Sequence, residues 1–289
     1  MQAYKQIIEE INLNQQFKTL TQAYQEHAIV QINLARYSVL ASREFMQELA
    51  EIFYNVKSSY DIYLKSLTGK EKEAHQERIK KNGKEVLVLL SANGKFYGDL
   101  VGKVCRLFVK QIKETNADVI IVGKEGKKFY ENTGLNRPYI YIDVPDTKIT
   151  LEMLKPLINS IIGYQKATIF YGKFDNIIVQ NAVAGSLSGD LPETDVTKKQ
   201  ATEDFLYEPN LERVMEFFEN QIFSMLLNQT VSEGKLARFA SRIKAMESAQ
   251  NNLLKQLDLL NKTSKRIKRM EGNKKQLQLF AGKSLWNQK

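Results

Sequence analysis

The sequence predicts an α/β protein in which a Rossmann-like α/β domain is inserted between two long helices that pair as an antiparallel coiled coil. Two observations indicate the helices: apolar side chains recur at alternating 3- and 4-residue spacings at both ends of the chain, and long stretches there lack proline. A third observation indicates the domain, because short apolar runs alternate with amphipathic stretches in the middle of the chain.

The N-terminal helix is predicted to end before Gly69, since no proline or glycine precedes that residue. Its roughly 60 residues would span about 90 Å at a rise of about 1.5 Å per residue. Many positions of its predicted seam are polar or small, so the packing should be weaker than in a leucine zipper. The seam skips one position after Phe45 and consists of Leu13, Phe17, Leu20, Tyr24, His27, Gln31, Leu34, Ser38, Ala41, Phe45, Leu49, Ile52, Val56, Ser59 and Tyr63.

The middle of the chain contains short apolar runs that are typical of buried strands. They are VLVLLS from residue 86, DVIIVG from 118, YIYIDV from 139, KATIFYGKF from 166 and NIIVQNAV from 176. GKVCRLFVKQIKETN and ITLEMLKPLINSIIGYQ are predicted helices, although the second contains Pro156. This alternation predicts a largely parallel sheet, followed by a polar loop over 185–204.

The C-terminal helix is predicted to begin near Asn210, because Pro209 is the last proline, and to run almost to Lys283. Gly234 and Gly272 are candidate interruptions. Roughly 70 residues would give a length on the order of 100 Å. Its predicted seam consists of Leu236, Phe239, Ile243, Met246, Gln250, Leu253, Leu257, Leu260, Ser264 and Ile267.

Two ordinary amphipathic helices of a bundle are an alternative for the two ends of the chain. Similar lengths and matching 3.5-residue periods favour pairing with each other, and the domain between them favours an antiparallel arrangement. The predicted organisation is therefore an N-terminal coiled-coil helix over 1–68, an α/β domain over 80–205 and a C-terminal coiled-coil helix over 208–285.

The net charge of +9 is concentrated at the C-terminal end. From Val231 onward there are 14 basic and 4 acidic side chains, whereas the first 230 residues hold 28 and 29. The stretch NKTSKRIKRMEGNKK (261–275) alone has seven basic side chains and one acid. This basic end could bind nucleic acid, a membrane surface or an acidic protein, and its charge alone does not distinguish among them.

The cellular context is indicated by what the sequence lacks. A single cysteine, Cys105, excludes an internal disulfide framework and fits a reducing compartment. The first residues have no apolar segment of a signal peptide, and the longest apolar runs are too short to span a bilayer. We therefore expect a cytoplasmic protein.

Catalytic and metal-binding motifs are not indicated. AGKS (281–284) has Leu277 where a P-loop needs its first glycine, and GKEGKK (123–128) lacks either phosphate-binding glycine pattern, so surface turns explain those glycines better. His27 and His75 form no HExxH motif, and Cys105 has no metal-ligand companion. We expect His27 to pack in the seam and Cys105 to be a buried small hydrophobe.

A free-standing coiled-coil protein with a basic nucleic-acid-binding end is the alternative from a different functional class. No RNP motif, zinc finger or helix-turn-helix accompanies the basic end. In a bZIP protein the basic region precedes the zipper, whereas here it follows the main heptad run. A further alternative is that the basic helix face binds no partner and is simply exposed to solvent.

Local segments in a fixed order resemble one protein family. They are KTLTQAYQEHA (18–28), LLSANGKFYGDL (89–100), IIVGKEGKKFY (120–130), IFYGKF (169–174), LP (191–192), LYEP (206–209) and RIKAMESAQNN (242–252). The first three are similar to the KITKAM-type, TSDRGLCGGLN and IGRKGRDFF segments of the gamma subunit of rotary F-type ATP synthases, and the last to its RMxAMxxATxNA helix. Gly282 also falls where that family has a glycine near the end, so the resemblance covers nearly the whole chain.

The chain departs from the family pattern at several positions. Tyr97 and Asp99 replace the usual cysteine and second glycine, and Arg238 stands where an acidic residue is usual. Gln22 replaces a usual lysine, and Lys268–Arg269 stand where the family has Arg–Gln. This drift, with the Lys/Asn-rich composition, suggests a divergent paralogue like those of the F-type-like ATPases of mollicutes, including those proposed to drive gliding motility.

The resemblance implies a non-catalytic central-stalk rotor subunit, which couples rotation inside an alpha/beta hexamer to ATP hydrolysis or synthesis in the beta subunits. It implies a 3:3:1 complex with alpha- and beta-like subunits, together with an epsilon-like subunit and a membrane ring or other driven machinery, and no nucleic acid. Mg-ATP and ADP would be bound by the partner subunits, and this chain would hold no cofactor. The complex would place the chain at the inner face of the cell membrane.

Two sets of contact residues follow from the resemblance. Cations near the end of the C-terminal helix would face carboxylates in loops of the beta subunits, and these are Lys262, Lys265, Lys268 and Arg269. A foot region would engage the machine that the shaft drives or is driven by, and it comprises Leu206, Tyr207, Glu208 and Pro209.

Overall fold

The computed structural model describes residues 2–66, 82–147, 149–186 and 206–286. Its elements in chain order are α1 (Gln2–Ser66), β1 (Glu85–Leu90), α2 (Leu100–Glu114), β2 (Asp118–Val122), α3 (Lys124–Glu131), β3 (Tyr139–Ile142), α4 (Leu151–Ile161), β4 (Lys166–Phe174), β5 (Gln180–Ser186) and α5 (Leu211–Trp286). This order confirms the predicted fold class, in which an α/β domain is inserted between two long helices. Most of the predicted loop over 185–204 lies outside the described residues.

The sheet has five strands in the order β3-β2-β1-β4-β5. The first four strands in that order are mutually parallel, because helices connect β1 to β2, β2 to β3 and β3 to β4. β5 pairs antiparallel with β4 through a short connection. The prediction of a largely parallel sheet is therefore confirmed.

Apolar side chains cover both faces of the sheet, as its mainly parallel strands require. On one face, α4 and residues Leu227 and Val231 of α5 complete the core. On the other face, α2 and α3 form a second core that also includes Ala237 of α5. Gly172 of β4 permits this close packing, since a Cβ there would lie 2.8 Å from Leu100 Cδ2 and 3.3 Å from the Ala237 Cβ.

The chain divides into two compact units, Ile29–Ser241 and the pair Met1–Ala28 with Arg242–Lys289. Within the larger unit, Tyr63 near the end of α1 donates a hydrogen bond to Glu212 at the start of α5, at 3.1 Å. Within the smaller unit, Gln250 Nε2 donates to Gln25 Oε1 at 2.7 Å. Residues near the end of α1 thus contact residues near the start of α5, and residues nearer the start of α1 contact later residues of α5. The two helices are therefore antiparallel, as predicted.

The predicted seam of α5 is confirmed by its burial. Leu236, Phe239, Met246, Leu257 and Ser264 are buried. The five remaining seam positions are half-buried, and they are Ile243, Gln250, Leu253, Leu260 and Ile267. The helix continues through both candidate interruptions at Gly234 and Gly272.

The predicted seam of α1 is wrong by about one residue over its first part. Leu13 and Leu34 are 51% and 66% exposed, although both were assigned to the seam. The buried side chains mostly lie one position later, and they are Ile11, Asn14, Ala28, Ile32, Ala35 and Val39. After Phe45 the prediction is partly right, because Val56 is buried and Leu49 and Tyr63 are half-buried.

The error in α1 has a physical reason. A hydrophobicity pattern favours the largest apolar side chains, whereas two closely packed helices place small residues between them. Ala28 is fully buried and Ala35 is 8% exposed, so both lie where only a small side chain is needed. The corrected spacing of 11, 14, 28, 32, 35 and 39 still follows the coiled-coil period.

Candidate functional site

The basic end of α5 exposes its cations. Ser264 is 9% exposed and Ile267 is half-buried in the seam, and the cations between and around them point elsewhere because their spacing places them on other sides of the helix. All four predicted contact residues are exposed, and they are Lys262, Lys265, Lys268 and Arg269. The arrangement presents positive charge along one end of a helix that stays attached to its partner through the seam.

One of these cations has an acidic neighbour on its own helix. Lys262 Nζ lies 2.6 Å from Asp258 Oδ2, and both side chains are well exposed. Such a surface pair contributes only about 0.2–1 kcal/mol, so an outside carboxylate can exchange with it. No ion pair joins Lys265, Lys268 or Arg269 to another residue within the described ranges.

The smaller unit holds α1 against α5 through polar as well as apolar contacts. The Arg242 guanidinium lies 5.5 Å from the centroid of the Tyr24 ring, which is a favourable cation–π arrangement. Arg242 is only 6% exposed, so this contact is shielded from solvent. Together with the Gln25–Gln250 hydrogen bond, it fixes the register in which the basic end is presented.

The predicted foot region is anchored at one of its four residues. The Tyr207 hydroxyl and Ser59 Oγ are 2.9 Å apart, and the Tyr207 ring packs against the α1–α5 core of Phe53 and Met215. Leu206 is 89% exposed. Glu208 and Pro209 are also exposed, and they are joined by a cis peptide bond.

The foot leads directly into α5. Asn210 Oδ1 accepts the Arg213 N–H at 2.9 Å, which is the arrangement of a helix N-cap. The tyrosine anchor and the cap together fix the backbone on both sides of residues 208 and 209. Leu206, Glu208 and Pro209 are therefore the residues of this region that a partner could contact, while Tyr207 holds them in place.

Apolar surface on α1 was missed by the sequence reasoning, which assigned it to the seam. Leu13, Phe17 and Leu20 are 51%, 48% and 49% exposed, and they recur at 4- and 3-residue spacings on one side of the helix. Near the end of α5, Phe280 is 71% exposed. One signal in the sequence could have distinguished the surface from the seam. Smaller residues often follow the large apolar ones by one position, and the true seam runs through them.

The glycines after β2 have a structural role that differs from the predicted surface turn. Gly123 has a φ of 93° and precedes α3, which begins at Lys124. A Cβ on Gly126 would lie 2.4 Å from Ser91 Oγ, and that hydroxyl accepts the Gly126 N–H at 2.9 Å. The helix thus packs directly against the end of β1.

The single cysteine is buried, as predicted, and it is chemically quiet. Cys105 is a residue of α2 that faces the core, and burial raises the pKa of its thiol to about 12. The group therefore stays protonated at neutral pH and is a poor nucleophile. His27 was predicted to pack in the seam, but it is exposed because the seam runs through Ala28. His75 lies outside the described residues.

Three of the departures from the family pattern lie within the larger unit, Ile29–Ser241. Tyr97 is 4% exposed and Arg238 is 7% exposed, so both are interior positions. Asp99 precedes α2 and forms an ion pair with Lys103 at 2.7 Å. Gln22 is exposed on α1. Within the described residues, no helix is long and apolar enough to cross a membrane.

Comparisons with known proteins agree with this architecture. A family model described as ATP synthase matches residues 3–270. The ATP synthase gamma chain of Ruthia magnifica is 24% identical over 275 residues, covering 90% of this chain and 92% of that one. The gamma chain of Halothermothrix orenii is 22% identical over 296 residues and covers 98% of both chains.

Solved structures show the same fold at lower identity. The central stalk of the Tetrahymena thermophila mitochondrial ATP synthase matches with a TM-score of 0.55 and 16% identity, over 80% of this chain and 99% of that one. A chain of the Euglena gracilis mitochondrial ATP synthase matches with a TM-score of 0.52 and 16% identity, over 88% and 93%. The chain therefore belongs to the ATP synthase gamma family, and it is a non-catalytic, central-stalk rotor subunit.

Proposed function

We propose that this chain is the shaft of an F-type-like rotary ATPase, with α1 and α5 enclosed by three alpha-like and three beta-like subunits. The observation that carries the proposal is the continuous α5 seam, which keeps its register from Leu236 to Ile267 and presents exposed cations beside it. An asymmetric shaft in a near-symmetric ring would favour a different conformation of each beta-like subunit, and its rotation would exchange those conformations. ATP hydrolysis or synthesis would take place in the ring.

The basic end would contact acidic loops of the beta-like subunits. Lys265, Lys268 and Arg269 are exposed and Lys262 has only a surface ion pair, so all four can meet outside carboxylates. Each such contact is worth only about 0.2–1 kcal/mol and is weakened by salt. Weak, exchangeable contacts suit a shaft that must turn past successive loops.

The foot region would contact the machinery that the shaft drives or is driven by. Leu206, Glu208 and Pro209 are exposed on a backbone that Tyr207 and Asn210 hold in place. An epsilon-like subunit, a membrane ring or a different driven machine would meet this surface. The proposed domains are then two coiled-coil helices over 1–68 and 208–285 and a central α/β domain over 80–205.

The setting of the complex is part of the same proposal. The chain would be cytoplasmic and held at the inner face of the cell membrane through its partners. The departures at Tyr97, Asp99 and Arg238 suggest a divergent paralogue, such as those of the F-type-like ATPases of mollicutes, some of which are proposed to drive gliding motility. Affinity purification of the full chain from native cells, followed by identification of the partner at its foot region, distinguishes a proton-ring subunit from a gliding component.

The decisive experiment is co-purification of the full chain with alpha- and beta-like subunits. We expect a 3:3:1 complex with ATPase activity, whereas the isolated chain should show no turnover above buffer. A variant with Lys262, Lys265, Lys268 and Arg269 all changed to Gln should lose activity in the complex, most clearly at low ionic strength. Lys255→Gln, at an exposed position on the same helix, is the matched control.

The nucleic-acid alternative gives a different result in a parallel titration. For a duplex-DNA binder, a plot of log affinity against log salt concentration should have a slope of about −0.9 for each phosphate contact. The variant with the four cations changed to Gln should flatten that slope by up to about 4. Specific sub-micromolar binding of an oligonucleotide at physiological salt, without any ring binding, would overturn the rotor proposal.

A further inference from the structure

Two loops at one edge of the sheet meet at the carboxylate of Asp146. One loop follows β1 and contains Asn93 to Tyr97, and the other follows β3 and contains Asp146 itself. Asp146 Oδ1 accepts the Asn93 N–H at 3.0 Å. Its Oδ2 accepts the Gly94 N–H at 2.6 Å and the Tyr97 hydroxyl at 3.2 Å. A single carboxylate thus organises both loops.

The same two loops hold α5 at two points. Ser241 Oγ of α5 donates to the Tyr97 carbonyl at 2.8 Å, and the Tyr97 ring lies edge-on to Phe239 with centroids 5.8 Å apart. One turn and a half earlier on the helix, Lys235 Nζ donates to the Thr147 carbonyl. Burial, and then the charge of Arg238, lower the pKa of Lys235, as expected for an ammonium group withdrawn from water.

We propose that Asp146 and Tyr97 form a latch that positions α5 on the α/β domain, so that torque on the helix is transmitted to the domain without slippage. The inference rests on the proposed function, because it assigns torque transmission to a shaft. Apolar packing resists separation but is non-directional, whereas hydrogen bonds weaken steeply when their geometry is twisted. The latch adds directional resistance where packing alone would allow α5 to turn.

The position of Tyr97 strengthens this assignment. Its ring lies against Phe239 and its hydroxyl reaches Asp146, so one side chain contacts both α5 and the loop after β3. Tyr97 is 4% exposed and its hydrogen bond to Asp146 is partly buried, so water competes for this bond less than it would at the surface. The latch therefore depends on a side chain that combines an aromatic ring with a hydroxyl.

The test uses the full chain assembled with its ATPase ring. Tyr97→Phe removes the hydroxyl and keeps the ring contact with Phe239, and Asp146→Asn removes the charge and one of the two acceptor oxygens. Asp143→Asn is the matched control, since Asp143 belongs to the same loop as Asp146 and accepts from the Asn93 side chain at 2.6 Å. A bead attached through Lys110→Cys, at an exposed position of α2, reports the angle of the α/β domain.

With the ring stalled, we expect the angular fluctuations of the bead to widen for Tyr97→Phe and Asp146→Asn but not for Asp143→Asn. The two latch changes together should widen them no further than Asp146→Asn alone, because they interrupt one unit. In the isolated chain, Asp146→Asn should make the amides of Asn93 and Gly94 exchange about tenfold faster.

The outcomes separate the latch from the central-stalk role. Loss of ring binding by the unmodified chain would contradict the proposed function itself. Normal ring binding and ATP hydrolysis with unchanged fluctuations in Tyr97→Phe would overturn the latch. If Asp146→Asn does not fold, Tyr97→Phe decides alone, since it retains every backbone contact.

Discussion

The corrected seam of α1 can be tested by a pair of substitutions two residues apart. Ile32 is 5% exposed and Leu34 is 66% exposed, although the sequence pattern had assigned Leu34 to the seam. Ile32→Ala and Leu34→Ala remove similar amounts of side chain from the same helix. Because both create alanine, the effect on helix propensity is small and favourable in each.

The expected losses differ several-fold. Removing a buried isoleucine side chain costs about 2–5 kcal/mol, from lost burial and the cavity that remains. Full burial of a leucine contributes about 1.5–3 kcal/mol, so a side chain that is only about one third buried should contribute about 0.5–1 kcal/mol. Ile32→Ala should therefore lower the free energy of unfolding by at least twice as much as Leu34→Ala.

Urea unfolding of the isolated chain, followed by helical circular dichroism, measures both losses. The comparison is valid where the two variants and the unmodified chain share the same m-value, because the midpoint then reports stability alone. Equal losses, or a larger loss for Leu34→Ala, would refute the corrected register and restore the predicted one.

Three further predictions follow from other contacts. Cysteines placed at Gln25 and Gln250, whose side chains are hydrogen-bonded, should cross-link within one molecule if their Cα atoms lie within about 7 Å, and purely intermolecular dimers at high dilution would contradict the antiparallel pairing. The purified chain should hydrolyse no ATP alone, and turnover by a verified pure sample would contradict the non-catalytic assignment. Burial raises the pKa of Cys105 from 9.0 to about 12, so the free energy of unfolding should be unaffected by this thiol below about pH 9 and fall by up to about 1.4 kcal/mol per pH unit as pH rises towards 12. Cys105→Ala should lack that part of the pH dependence, and identical curves for the two chains would rule out the burial effect.

The α/β domain was predictable in outline because its signals are local. VLVLL and DVIIV are continuous apolar runs, and they form the two adjacent central strands β1 and β2. The helix α3 was not predicted, since GKEGKK has the composition of a turn. It forms because Gly126 allows close approach to Ser91, a tertiary contact that leaves no pattern in the local sequence.

The seams show why one helix was predicted correctly and the other was not. In α5 the buried seam positions include large apolar residues such as Leu236, Phe239 and Leu257, so the hydrophobicity pattern identifies the seam. In α1 the buried positions include Asn14, Ala28 and Ala35, which a hydrophobicity pattern ranks below their larger neighbours. The register of α1 depends on how closely α5 approaches, and that distance is set by both helices together.

A pair of helices has too little interior to bury every apolar side chain. The fold of the chain alone therefore does not explain why some large apolar residues are present on its surface. Ala28 is fully buried in the helix pair while Phe17 remains 48% exposed. A contiguous group of large apolar residues on an otherwise polar helix surface is typical of a contact with another protein, whereas single exposed ones are not. Leu13, Phe17 and Leu20 form one such row on α1, and the basic end of α5 belongs to the same compact unit. The smaller unit therefore presents an apolar row and positive charge together. A ring of subunits that encloses it would need a complementary surface with apolar and acidic side chains.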